Sequence, residues 1–301
     1  MSRADGAGTT AALPPGVLAS YLAVTVLWGL NWPALKIALT SFDPWTFRGL
    51  VLAGAAATLF ALARLQGQPL ALPRAHRWAI VVPASSVTGW HLLSAYGVMH
   101  TTSGRAVIVA FTMPFWTMLL SLWWLDERPT RRRLGALALG LASLALLLAD
   151  EIDQLQAAPL GVAFMVAAAI VWAVGTVATK ARDWGVSPLV LTAWQLALGL
   201  LPIAVVALAR APATDLAAVS TEAWLAFLYA TFVAMVFCFY SYIRFVTLLP
   251  ATVAAIGVMA IPAVGLFGSA VILGEPIGPT ELAALALVVG GQSLVTFAPR
   301  R

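Results

Sequence analysis

The stretch "WGLNWPALK", residues 28–36, returns in altered form as "WAVGTVATK", residues 172–180, and the reading of that echo decides the fold. In both, a Trp precedes a Lys by eight positions inside a long apolar run. Shifting the chain against itself by 144 brings Trp28 onto Trp172, Lys36 onto Lys180 and Pro44 onto Pro188. Further along, a shift of 148 brings Pro114 onto Pro262 and Glu127 onto Glu275, with the proline 13 positions ahead of the glutamate each time. Growth of the offset from 144 to 148 needs only a four-residue insertion in a loop. Five ordered matches in corresponding segments point to one unit written twice.

The solvent of that unit follows from composition. Of the 301 residues, 61% are hydrophobic and 10% charged, with a mean hydropathy of +0.93. A soluble domain carries roughly 25% charged residues. A chain so poor in charge cannot cover a globular surface with polar groups, so its natural surroundings are lipid. The pI of about 9.9 and net charge of +5 come from short basic runs between apolar spans. That pattern reads as membrane topology and not as a nucleic-acid patch. The single cysteine, Cys238, permits no internal disulfide. The first apolar stretch is too long for a signal-peptide core and is read as a retained span.

A membrane-crossing helix needs roughly 20 apolar residues. Cutting at charge runs and Gly/Pro clusters predicts ten: 17–39, 45–65, 78–99, 103–125, 132–149, 159–181, 188–209, 223–246, 251–273 and 280–298. With the N-terminus cytoplasmic, the inner segments collect 13 of the 17 basic residues, and the acidic loop with Asp150, Glu151 and Asp153 falls outside. Basic loops resist translocation, so both termini are expected on the cytoplasmic side of the inner membrane. Five spans per unit is an odd number, so the second copy must enter the membrane from the opposite face. The expected fold is therefore an all-α membrane protein of ten transmembrane helices. Residues 1–150 and 151–301 form two inverted five-helix repeats around a central cavity, a plan shared by many secondary transporters.

With a Trp-to-Lys first span and a Pro-to-Glu fourth span in each half, the chain resembles the drug/metabolite transporter superfamily. It is closest in pattern to the ten-span, doubled-domain branch of amino-acid and metabolite exporters. The resemblance covers roughly residues 17–298 and implies a ten-helix bundle whose two halves share one cavity. The chain departs from perfect repetition where Gly175 stands against Asn31, so a polar role at that level is asymmetric.

Polar groups at mid-depth are costly in hydrocarbon and tend to face the bundle interior. Trp28 and Asn31 are three apart and share a face. "GWHLLSAYG" sets Trp90 and His91 at mid-depth, with Ser94 on the same general face. Phe111 lies in the fourth span; Trp172 and Thr176 share a face in the sixth; Trp194 and Gln195 are neighbours in the seventh. Flat apolar walls with a few directed polar groups suit a small organic ligand. Trp28, Asn31, Trp90, His91, Phe111, Trp172, Thr176, Trp194 and Gln195 are the expected substrate-binding set. The structural alternatives are helix–helix glue for Asn31 and a carbonyl-bonded histidine for His91. Pro114 and Pro262 are expected to kink their helices and act as paired hinges. Trp45, Trp78, Trp123, Trp124, Trp184 and Trp224 read as interface anchors. Lys36 and Lys180 read as snorkelling ends, and Gly257, Gly265 and Gly268 as close-packing positions.

None of the 12 acidic residues falls at mid-span. Proton-driven export of cations usually relies on a buried carboxylate, so its absence favours a neutral or zwitterionic solute. Any proton coupling would fall to His91. No P-loop, dinucleotide fingerprint or metal-ligand cluster is seen, so no cofactor or metal is expected. The resulting expectation is a secondary or facilitative transporter of amino acids, aromatic or large neutral ones foremost, by alternating access, with lipid and a small-molecule substrate as its partners. The alternatives are a proton-coupled drug or metabolite exporter and, in a different class, an intramembrane enzyme. The latter is disfavoured because nothing ties Ser103 or Ser269 to His91.

Overall fold

A computed structural model of the chain describes residues 15–100, 106, 109–149, 159–209, 214–251, 253–254, 258, 260–274 and 277–296, and these contain helices and turns and no β-strand. The helices are α1 (Pro15–Ala38), α2 (Pro44–Leu65), α3 (Val81–His100), α4 (Met113–Trp124), α5 (Arg131–Ala149), α6 (Pro159–Lys180), α7 (Pro188–Ala209), α8 (Thr221–Leu248), α9 (Ile261–Leu273) and α10 (Pro279–Thr296). Four of them are clearly both long and apolar enough to cross a membrane: α2, the Leu160–Lys180 part of α6, α7 and α8. The expected fourth and ninth spans are shortened by breaks. Turns at 111–112 precede α4, and turns at 258 and 260 precede α9, leaving helices of 12 and 13 residues.

Local chemistry sets the helix ends, and it does so twice. Asp43 caps α2 by accepting from the Trp45 and Thr46 amides at 3.0 and 3.3 Å, with Pro44 in the first turn. Ser187, 144 positions on, accepts from the Val190 amide at 3.2 Å and stands before Pro188. Each cap is tied to the loop after the other half's second helix. Thr214 Oγ1 donates to Asp43 at 2.9 Å, and Ser187 Oγ donates to Gln68 Oε1 at 2.5 Å. Burial opposes ionisation of Asp43, but the bonds from Thr46, Thr214 and Trp45 outweigh it and hold the carboxyl below its usual range. At the far end of the repeat, Gly274 closes α9 at φ 73°, and Asp126, 148 positions earlier, adopts the same left-handed region at φ 53°. Gly and Asp are among the residues that enter it most readily.

Packing follows a reciprocal scheme. α3 lies along α6, and α1 lies along α8; α1 also packs on α9, and α6 on α4. α2 packs on α7, and α5 on α10. Exchanging α1–α5 with α6–α10 in order maps each of these pairs onto another of them or onto itself. Phe47, Leu52 and Leu59 of α2 and Leu191, Leu196 and Ile203 of α7 are among the largest fully buried side chains, so the seam between these helices is a core. Small residues let other helices approach closely. A Cβ on Gly175 would lie 2.5 Å from Ser86 Cβ of α3, and one on Gly29 would lie 2.6 Å from Val264 Cβ of α9. Gly268 meets Leu30 in the same α1–α9 contact, and Gly265 sits against Trp32, whereas Gly257 lies outside the described residues.

Two expectations need correction. Pro114 and Pro262 do not kink the middle of a helix: each stands in the first turn of α4 or α9, where no intrahelical bond is lost. The prolines inside helices are Pro33 of α1 and Pro202 of α7. Trp184 is no surface anchor. It is buried, and its indole N–H donates to the Thr179 carbonyl at 2.8 Å, satisfying an orphan acceptor at the end of α6. Trp78, Trp123 and Trp124 are exposed, as anchors should be. Finally, α8 is π-helical over Tyr229–Phe239, a widened coil that the apolar pattern did not signal.

Candidate functional site

A cavity lies between the helices, with about 540 Å³ of space free of protein atoms, its open mouth included. Helix α1 gives it Trp28, Asn31, Trp32 and Leu35, whose spacing of three, one and three keeps them on one helical face. Trp90, His91 and Ser94 come from α3 by the same rule, and Arg48 comes from α2. The two helix breaks supply Phe111 and Met113 on one side and Ile261 on the other. Trp172 of α6 and Met235 of the π-helical stretch complete the wall. Both halves of the chain thus build one chamber.

Trp172 organises its floor. Its ring lies 4.8 Å from Trp90, 5.7 Å from Trp28 and 5.7 Å from Phe239. Such offset and edge contacts hold aromatic rings in fixed orientations. The indole N–H donates to the Tyr242 hydroxyl at 3.2 Å. On the far side of Trp172 lies a second cavity of about 280 Å³, also lined by Ser86, Thr176, Thr179, Gln195 and Tyr242. Trp172 is the partition between the two.

The polar groups of the main chamber are poorly served by the protein. Asn31 Oδ1 and His91 Nδ1 are buried and have no hydrogen-bond partner among the described residues. Arg48 is 7% exposed and, among the described residues, donates only to Ser94 Oγ, at 3.5 Å, with its guanidinium 5.8 Å from the Phe47 ring. Among the described residues no acidic side chain lines the chamber. In the second cavity the reverse holds. Gln195 Nε2 donates to Thr179 Oγ1 at 3.0 Å, Thr176 and Tyr242 share a hydrogen bond of 2.8 Å, and the Thr176 hydroxyl also reaches the Trp172 carbonyl.

The predicted set therefore divides. Trp28, Asn31, Trp90, His91, Phe111 and Trp172 meet in the main chamber. Thr176 and Gln195 line the second cavity, as Trp172 also does. Trp194 lines neither: its indole N–H donates to the Leu70 carbonyl at 2.7 Å and its ring packs on Phe60, so it clamps the loop after α2. Sequence reasoning missed Arg48, which stands near the start of the predicted span 45–65. The signal was available, since Arg48 is the lone charge between Asp43 and Arg64, and it falls on the stripe of Leu52, Ala55 and Leu59 that the core uses. The acidic residues that are described stand at helix ends or in turns, and Asp5, Asp150, Glu151, Asp153 and Glu275 lie outside the described residues. Among the described residues no three His, Cys, Asp or Glu side chains gather to hold a metal ion.

Comparison with known proteins gives a consistent picture. The sequence model of the EamA-like transporter family matches the chain twice, over residues 15–149 and 159–297. A protein of Salmonella typhimurium described as a probable amino-acid metabolite efflux pump is 26% identical over 293 residues, covering 92% of this chain and 93% of the relative. One of the same description from Escherichia coli strain K12 is 27% identical over 306 residues, covering 95% of each. An uncharacterised transporter of Bacillus subtilis is 25% identical over 185 residues, 61% of this chain and 63% of the relative, so that match spans less than two thirds of its length. A solved crystal structure superposes with a TM-score of 0.78 at 20% identity, covering 94% of this chain and 96% of the other; it shares the fold.

Proposed function

Because the chain belongs to the EamA-like transporter family and is a multi-pass membrane transporter, we propose that it exports small neutral or zwitterionic metabolites, amino acids with large or aromatic side chains foremost, by alternating access. In this reading residues 1–150 and 151–301 are two five-helix units of opposite orientation in the cytoplasmic membrane, with both termini in the cytoplasm. The reciprocal helix pairs and the twice-used Asp43 and Ser187 caps support the two-unit plan. The concentration of basic residues on one side supports the orientation.

The observation that carries the proposal is the main chamber itself. It combines indole walls from Trp28, Trp90 and Trp172 with buried polar atoms on Asn31 and His91 that find no partner among the described residues. Unbonded buried polar atoms are expensive, so a ligand that bonds them gains affinity. The walls would bury an apolar side chain, and the polar atoms would orient a small head group. Trp172 would bar passage on one side, and the helix breaks ahead of Pro114 and Pro262 would be the places where the halves flex. Discontinuous helices at a shared cavity are a recurring feature of secondary transporters. The test is flux of labelled phenylalanine, tryptophan and leucine in proteoliposomes, with and without a pH gradient. Saturable flux with counterflow is the expected result; no amino-acid flux under either condition would overturn the substrate class.

A further inference from the structure

We infer that Arg48, flanked by Ser94 and His91, is the anion-recognising end of the main chamber, and that the ligand this chamber takes must carry a carboxylate. The inference rests on the chamber being the transport site, as proposed above.

The argument begins with an imbalance of charge. Arg48 sits inside α2, almost fully buried, and among the described residues no carboxylate pairs with it. A buried cation without a counter-ion is costly, and such groups persist in membrane proteins mainly where function uses them. A guanidinium offers five N–H donors in a planar fork. Among the described residues it makes one long contact, to Ser94 Oγ at 3.5 Å. The fork matches a carboxylate in two-point geometry.

The position of the charge matters as much as its isolation. Arg48 and His91 line both the main chamber and a small lateral cavity of about 230 Å³ that also touches Trp45 and Tyr96. On the main-chamber side they face a site with no acidic lining among the described residues. An amine ligand with no anionic group would meet Arg48's like charge and find no counter-charge. A carboxylate would find the guanidinium, with the Ser94 hydroxyl beside it. The ammonium of an amino acid would then take Asn31 Oδ1, an acceptor without a partner among the described residues. The carboxylate is thus the obligatory group, and the ammonium an auxiliary one. An aromatic carboxylic acid lacking the amino group falls within the accepted class; the matching amine does not.

Purified full-length protein in nanodiscs would be titrated with phenylalanine, 3-phenylpropionate and phenylethylamine, followed by intrinsic tryptophan fluorescence and by calorimetry. The two carboxylates are expected to bind, and phenylethylamine to bind on the order of 10- to 100-fold more weakly, the loss expected for a charged hydrogen-bonded contact. Arg48→Gln should weaken both carboxylates by a similar factor and narrow the gap to the amine; Arg48→Lys, which keeps the charge and loses the fork, should fall between. Melting temperatures of both variants show whether they fold, and the wild-type titration stands without them. Equal binding of phenylalanine and phenylethylamine, or unchanged carboxylate affinity in a folded Arg48→Gln variant, would overturn the carboxylate site while leaving amino-acid export standing. Binding of 3-phenylpropionate but not phenylalanine would keep the carboxylate site and sink the amino-acid reading. Failure of both carboxylates to bind would sink both.

Discussion

The two cavities on either side of Trp172 are built from similar materials and finished in opposite ways. In the second cavity the polar side chains bond to one another: Gln195 to Thr179, Thr176 to Tyr242, Tyr242 to Trp172. In the main chamber Asn31 Oδ1 and His91 Nδ1 have no partner among the described residues, and Arg48 has a single long one. A closed network of hydrogen bonds holds helices together, whereas an open set leaves donors and acceptors free to bond something else. The repeat shows how the difference arose in physical terms. Under the 144-residue shift Asn31 is answered by Gly175 and Arg48 by Thr192, whose hydroxyl bonds the Pro188 carbonyl at 2.6 Å. Two copies of one pattern supply matching helices, and single side chains decide on which side of the partition polar atoms stay unbonded among the described residues.

The comparison can be broken most directly at Gly175. Gly175→Asn restores the first half's residue, but its Cβ would press on Ser86 across the α3–α6 contact. Overpacking of this kind costs about 1–3 kcal/mol, so a clearly lowered melting temperature is expected; an unchanged one would show that packing does not impose the asymmetry. Next comes Gln195→Ala, which leaves the buried Thr179 hydroxyl without its donor. A stability loss of about 1–3 kcal/mol with KM for flux unmoved would mark the second cavity as scaffold. Asn31→Ala should do the opposite, with the melting temperature held and KM raised roughly tenfold, the value of one hydrogen bond to a charged group. If both variants shift the same quantity, the distinction between closed and open polar sets fails.

The smallest effect sharpens the repeat and not the site. Asp43→Ala removes the α2 cap and the tie to Thr214, and is expected to lower stability by about 1 kcal/mol without changing transport. Because the folded carboxyl titrates below its usual range, its contribution is present in full above the unfolded value, about 3.9, and is lost as pH falls through the lowered folded one. The gap in melting temperature between wild type and variant should therefore be flat near neutral pH and close in acid. A gap that widens on acidification would contradict the cap.

Much of the chamber is legible in the sequence, for a definable reason. Trp28, Asn31, Trp90, His91, Phe111 and Trp172 are large or polar groups deep in apolar runs, and lipid admits few such groups unless they face inward. Trp194 meets the same rule but turns to a loop carbonyl, because an indole N–H will take whichever acceptor is nearest. Arg48 escapes the rule because distance from a span end is a poor guide to burial. Its side chain is covered by α3, and helix contacts are not written in one helix's own sequence.

Composition and the Trp-to-Lys and Pro-to-Glu echoes determined by themselves that this chain is a helical membrane protein carrying two copies of one pattern, since hydrophobicity and repeat spacing are linear properties. Tertiary structure alone decided which polar atoms are satisfied, that α4 and α9 begin at Pro114 and Pro262 instead of bending there, and that Trp172 divides two cavities. Those outcomes depend on which residues from distant helices meet, and hydrogen-bond satisfaction is a property of the meeting and not of the residue.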